Sequence, residues 1–188
     1  MNTTIPFIEE IFSQLQAAAD TRILAEIRDG AVTGVTGSEL LQLIRKARTF
    51  IASKGIKRGE RCGLLAANSI RWVAMDLALM AEGLIVVPLY SRQAPAELVG
   101  MMKDCTPSLV CCGDALLKDA IAQSWPEAPP LCLFDEIFVD VEGVQVERLQ
   151  MGNDSAVTII YTSGTSGEAK GVVLNAANVG FMLNRTAA

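Results

Sequence analysis

At 188 residues with a net charge of −5 and a pI near 4.8, the chain is large enough for one domain with a sizeable core and too small for two. No run of lysines or arginines breaks the acidic balance, which argues against a broad nucleic-acid face. The lack of any histidine removes Ser-His-Asp and Cys-His nucleophile pairs and every histidine-containing metal site.

The opening residues MNTTIPFIEE lack a basic stretch followed by an apolar run and a small-residue cleavage site, so no secretory signal is expected. Within Ile5 to Ala19, Ile8, Ile11, Phe12 and Leu15 recur at helical spacing. Thr21–Arg28 and Ala31–Val35 flank the turn signal Asp29-Gly30 and predict a β-hairpin. Thr36 followed three residues on by Glu39 predicts a capping box, and Leu40, Leu43, Ile44, Ala47, Phe50 and Ile51 form the apolar face of the helix behind it, which stops near Gly55.

From there strand and helix alternate. Cys62–Ala66 reads as a strand, and Asn68 or Ser69 can cap a helix running to about Gly83. Leu84–Pro88 is a strand, and Pro95 opens another helix where a missing N–H costs nothing. The span from Trp72 to Tyr90 is the longest apolar stretch, and with a hydrophobic share of 51% it raises the question of a membrane span. Asp76, Glu82, Gly83 and Pro88 interrupt it, so it reads as a buried helix followed by a buried strand. Leu109–Cys112 is a strand, Asp114–Ser124 a helix, and Leu131–Phe134 a strand after the stiff Pro126–Pro130 link. This alternation predicts an α/β fold: a mostly parallel sheet with helices on both faces, plus peripheral β-hairpins.

Cys62, Cys105, Cys111, Cys112 and Cys132 are odd in number and show no CxxC spacing. They read as free core thiols of a reducing cytosol, with the adjacent Cys111 and Cys112 pointing to opposite faces of their strand. Asp135–Asp154 is mixed in charge and reads as a peripheral hairpin or connector. Its carboxylates Asp135, Glu136, Asp140 and Glu142 have no metal-ligand spacing and read as solvated surface.

The chemistry concentrates after the β-rich run Ala156–Tyr161. Thr162 to Gly171 packs four hydroxyls, three glycines and Lys170 into ten residues, and Val172–Leu174 is again β-like, with Asn175 or Asn178 as cap of a closing helix. Glycines let backbone N–H groups converge on a polyphosphate, hydroxyls add donors, and the lysine supplies charge. A solvated, mobile turn has the same composition and stays open as the alternative. Sharper motifs fail. Walker A would need glycine at Ala169, and Gly171 follows the lysine; Gly164 and Gly167 are too far apart for G-x-G-x-x-G; G-x-S-x-G misses by one position around Ser166.

Tyr161–Gly171, YTSGTSGEAKG, resembles the phosphate-loop signature of the acyl-adenylate-forming superfamily: acyl-CoA synthetases, luciferases and non-ribosomal peptide synthetase adenylation domains. Thr36–Leu40, the Gly55–Cys62 turn, Asn68-Ser69 with Trp72, and Gly83–Tyr90 resemble that superfamily's opening region in the same order, and from Tyr161 onward the text is most similar to long-chain fatty acid–CoA ligases. The resemblance implies that residues 1–188 are the N-terminal portion of an AMP-binding, or adenylation, domain, ending just after the phosphate loop with the C-terminal parts absent. It further implies an ATP-dependent, AMP-forming ligase that uses Mg2+, coenzyme A and a carboxylic acid, here a fatty acid. The parent would be cytoplasmic or membrane-peripheral.

By the same resemblance, Thr162, Ser163, Gly164, Thr165, Ser166 and Gly167 would hold the β- and γ-phosphates of ATP and Lys170 would help neutralise them. No catalytic or metal-binding residue is expected within this segment, and self-association is expected through apolar surface that the rest of the enzyme would cover. Two positions depart from the pattern: Ala169 replaces the usual proline, and Asn175-Ala-Ala-Asn178 stands where a Thr/Ser-His pair is more usual. A non-catalytic phosphate- or nucleotide-binding module, a purely structural or interaction domain, and an adenylation domain of another superfamily branch are the competing readings.

Overall fold

A computed structural model describes residues 7–28, 30–140, 151–163 and 169–186. Helix α1 (Phe7–Ala17) buries Ile8, Phe12 and Leu15 of the predicted stripe together with Phe7, while Ile11 is half-buried. The hairpin β1 (Arg22–Arg28) and β2 (Ala31–Thr36) pairs antiparallel as a small sheet of its own. Its last residue caps α2 (Gly37–Ser53). The Glu39 N–H donates to Thr36 Oγ1 at 3.3 Å and the Thr36 N–H to Glu39 Oε2 at 2.8 Å, so two orphan helix donors are satisfied reciprocally.

The main sheet contains β3 (Arg61–Leu65), β4 (Ile85–Leu89), β5 (Leu109–Cys112), β6 (Leu131–Leu133), β7 (Ala156–Ser163) and β8 (Ala169–Asn175), in the order β6-β5-β3-β4-β7-β8. Every neighbouring pair is parallel except β7 with β8. Helix α3 (Ile70–Ala81) leads from β3 to β4, α4 (Pro95–Cys105) from β4 to β5, and α5 (Ala115–Ser124) from β5 to β6. The caps follow the residues that local chemistry favours: Ser69 Oγ accepts from the Trp72 N–H at 3.1 Å, Asp114 Oδ1 from the Leu117 N–H at 2.9 Å, and Pro95 occupies the first turn of α4.

Both faces of the sheet are covered. On one, α1, α2 and α3 pack with Cys62, Leu64, Val86, Leu109 and Cys111; on the other, α4 and α5 pack with Leu65, Val87, Leu89, Val110 and Cys112. Adjacent strand residues thus feed opposite cores, and Cys111 and Cys112 part company as alternation requires. All five cysteines are buried and free. Arg48 of α2 and Glu82, just past α3, form an ion pair at 2.6 Å with both side chains mostly buried. Trp72–Tyr90 is indeed a buried helix and strand, and no helix among the described residues is long and apolar enough to cross a membrane.

The fold departs from the sequence reading after β6. Phe134 does not continue the strand; it opens the one-turn helix α6 (Phe134–Ile137). Glu136 Oε2 accepts the Leu133 N–H at 2.8 Å, which turns the chain into the helix, and Phe134 and Ile137 then reach the first core, Phe134 meeting Phe138 edge-to-face at 5.5 Å. The start of the predicted peripheral connector is therefore core, while Val141, Glu142, Val144 and Val146 lie outside the described residues.

Candidate functional site

Strands β7 and β8 form a hairpin whose register runs from Thr158↔Leu174 through Ile160↔Val172 and Tyr161↔Gly171 to Thr162↔Lys170 and Ser163↔Ala169. Residues 164–168 connect them. Gly164, Thr165, Ser166 and Gly167 of the predicted cradle lie outside the described residues, and Ser163 is placed by its backbone pairing alone. Thr162 and Lys170 are brought together as direct cross-strand partners, which puts both side chains on one face at the root of the loop. Both are exposed, and Lys170 has no ion-pair partner among the described residues. An uncommitted ammonium beside a hydroxyl, at the mouth of a glycine- and hydroxyl-rich connection, fits a phosphate chain.

The two ends of the motif meet as well. A Cβ on Gly171 would stand 3.2 Å from Tyr161 Cζ and 2.9 Å from Ile159 Cγ2, so the glycine makes room for the tyrosine ring. The Tyr161 hydroxyl reaches α4, donating toward Asp104 Oδ2 at 2.5 Å and the Met101 carbonyl at 3.0 Å. Burial, and then the bond to Asp104, raise its pKa and keep the phenol protonated. Sequence reasoning missed Asp104, which lies 57 positions before Tyr161; the one signal was a tyrosine at the head of a polar loop, whose hydroxyl needs a partner.

At the end of β8, Asn175 and Asn178 bond each other's backbone. The Asn178 N–H donates to Asn175 Oδ1 at 2.8 Å and the Asn175 N–H to Asn178 Oδ1 at 3.1 Å, so the departure Asn175-Ala-Ala-Asn178 is an amide version of the capping box at the start of α7 (Ala176–Thr186). The helix that leaves the hairpin is thus anchored by its own sequence.

Two crevices open at the carboxyl ends of the parallel strands. One, of about 540 Å³, lies between the ends of β3 and β4 and includes Asn68, Trp72, Tyr90 and Arg92; the other, of about 250 Å³, lies between β3, β5 and the β1–β2 hairpin and includes Glu26, Ser69 and Asp114. They flank β3, whose following helix packs on one face while those after β4 and β5 pack on the other. Such a reversal is where open α/β sheets hold ligands.

The remaining candidates are structural. Asp135 pairs with Arg71 at 2.6 Å, Glu136 with Lys118 at 3.4 Å and Asp140 with Lys46 at 2.6 Å, three separate cations rather than one shared centre. Among the described residues no group of three acidic or thiol side chains is placed to hold a metal. Burial pushes the Cys62 and Cys112 thiols up to about 12, which leaves them protonated and unreactive.

The comparisons with known proteins bear on the family and the fold. The chain is 35% identical over 123 residues to the 2-succinylbenzoate–CoA ligase of Bacillus cytotoxicus, covering 65% of this chain and 24% of that enzyme. It is 25% identical over 186 residues to the long-chain-fatty-acid–CoA ligase FadD15 of Mycobacterium bovis, covering 90% of this chain and 31% of that enzyme. The chain therefore spans less than a third of these curated relatives. Its fold matches the fatty acyl-adenylate ligase from L. pneumophila, solved with acyl adenylate and pyrophosphate, with a TM-score of 0.80 over 97% of this chain and 32% of that one, at 17% identity. Since the AMP-binding enzyme family model matches residues 12–187, the chain belongs to that family of adenylate-forming enzymes.

Proposed function

We propose that residues 1–188 are the N-terminal portion of the adenylation domain of a longer, AMP-forming acyl-CoA synthetase. The observation that carries this is the cross-strand pair of exposed Thr162 and Lys170 at the root of the 164–168 connection. Thr162, Ser163, Gly164, Thr165, Ser166 and Gly167 would donate to the β- and γ-phosphates of ATP, and Lys170 would offset the charge that builds on departing pyrophosphate. In the whole enzyme the carboxylate would attack the α-phosphorus and release pyrophosphate, and the thiol of coenzyme A would then attack the acyl carbon of the acyl-AMP, forming the thioester and releasing AMP and a proton. Mg2+ would enter with the nucleotide. The crevices at the reversal of the sheet, one of them one strand away from β7, support a nucleotide-sized ligand at this edge.

For the acid, a fatty acid is supported by the match to FadD15 along 90% of the chain. A smaller aromatic acid is the second reading, favoured by the higher identity to the 2-succinylbenzoate ligase. Free, buried cysteines suit a reducing, cytosolic setting. The exposed apolar residues of β8 and α7 would make the chain self-associate when nothing else covers them.

The test is MgATP binding followed by NMR titration. The isolated chain should bind weakly, with a dissociation constant on the order of 1 mM, and Lys170→Ala combined with Ser163→Ala should abolish binding. Unchanged affinity in that double variant would point to a structural domain with an inert turn, and micromolar or tighter affinity of the parent chain to a stand-alone nucleotide-binding module. Carboxylate-dependent ATP–pyrophosphate exchange by the chain alone would refute the N-terminal-portion reading.

A further inference from the structure

Among the described residues β7 registers on β4 at Val86↔Thr158, and its end is held by pairing with β8 and by Ile159 and Tyr161, which pack against the second core. The Tyr161 hydroxyl, one residue before Thr162, is bonded to Asp104 and to the Met101 carbonyl of α4.

Helix α4 is itself pinned at that end. Arg61 of β3 donates from Nε to the Cys105 carbonyl at 2.8 Å, and from Nη2 to the Thr106 carbonyl at 3.1 Å and hydroxyl at 2.6 Å. Arg61 thereby serves the open carbonyls of the last helical turn, where a cation is favoured, and ties that turn to the central strand. Thr106 completes the turn at φ +45°, a left-handed backbone unusual for a β-branched residue, which marks the position as held by its surroundings. A continuous chain of contacts thus runs from β3 through the end of α4 to Tyr161, and Gly171 opposite leaves the space in which the ring lies.

We infer that Asp104 and Tyr161 form a strap that aims the β7–β8 tip, making Asp104 a positioning residue for phosphate binding although it stands on another element. Tyr161→Phe keeps the ring over Gly171 and removes only the hydroxyl. Asp104→Ala removes the acceptor, and Asp104→Asn keeps an oxygen in its place. The inference rests on the proposed phosphate role of the loop, and the variants separate the two.

In NMR titrations of this chain with MgATP, Tyr161→Phe and Asp104→Ala should each weaken binding about fivefold, the effect of one net hydrogen bond, with dispersed, folded spectra. Asp104→Asn should stay within about twofold, a rescue that a general loss of packing would not give. If Lys170→Ala weakens binding while Tyr161→Phe and Asp104→Ala bind as the parent does, the strap is refuted and the loop reading stands. If Lys170→Ala changes nothing, or the parent chain binds no ATP, both fall. Should Asp104→Ala fail to fold, Tyr161→Phe decides alone.

Discussion

Strands β4 and β8 each carry a Val-Val pair at the middle, and the two pairs meet opposite fates. Val86 and Val87 at the middle of β4 are fully buried, whereas Val172 and Val173 at the middle of β8 are 47% and 57% exposed. The difference lies in neighbours rather than residue type. β4 has a strand on either side and helices on both faces, while among the described residues β8 is an edge strand bonded to β7 alone, followed by a helix whose Phe181 is 64% exposed. Hydrophobic pattern therefore announces that a strand wants cover, and topology decides whether the chain at hand supplies it. The half that is closed on itself holds both cores; the open half carries the loop proposed to bind phosphate.

That division is broken or kept first by truncating the closed half. Leu79 of α3 is fully buried in the first core, and Leu79→Ala should cost about 2–5 kcal/mol, the transfer of the lost carbons plus the cavity they leave. Urea unfolding monitored by far-UV circular dichroism would measure it. A loss below about 0.5 kcal/mol would mean that the helix is not packed as described.

The same helix also holds an exception to its own apolar logic. Burial lifts the Asp76 carboxyl to about 7, with no compensating partner behind the shift. A carboxyl raised in this way binds its proton more tightly folded than unfolded. Stability should therefore fall as pH rises from the ordinary value of 3.8 to about 7, and level off above it. Asp76→Asn should stabilise the chain at about pH 8 by something on the order of 2–4 kcal/mol and do little near pH 4. Unfolding curves of the two proteins that stay parallel across this range would show that Asp76 is ionised at no cost.

Local chemistry made much of this architecture legible. The capping box at Thr36 and Glu39, the turn at Asp29-Gly30, Pro95 at a helix start and the divergence of Cys111 from Cys112 each depend on residues within a few positions of one another. The Phe134 helix was misread because Leu-Cys-Leu-Phe has strand-forming side chains, and the hydrogen bond from Glu136 back to Leu133 outweighs that preference. In the site, the two β-like runs framing the loop could be read, and the structure adds that they pair as an antiparallel hairpin with Thr162 opposite Lys170. The tie from Tyr161 to Asp104 was invisible because it joins residues 57 apart through the packing of α4 on the sheet. Pattern within one segment cannot report a contact that exists only after two segments are brought together.

The smallest expected effect lies in the open half. Phe181 projects from α7 with most of its ring in solvent, next to the exposed Met182, and Arg185 stacks over it at 5.1 Å. Phe181→Ser removes little buried area, so its unfolding free energy should stay within about 0.5 kcal/mol of the parent. If the bare apolar surface of β8 and α7 drives association, the same substitution should lower binding of a hydrophobic dye and shift sedimentation toward the monomer. The two readouts separate what stabilises the fold from what its surface recruits: a large loss of stability would place Phe181 in the core. Unchanged dye binding, or a parent chain that is already a clean monomer, would remove self-association from the account while leaving the phosphate loop untouched.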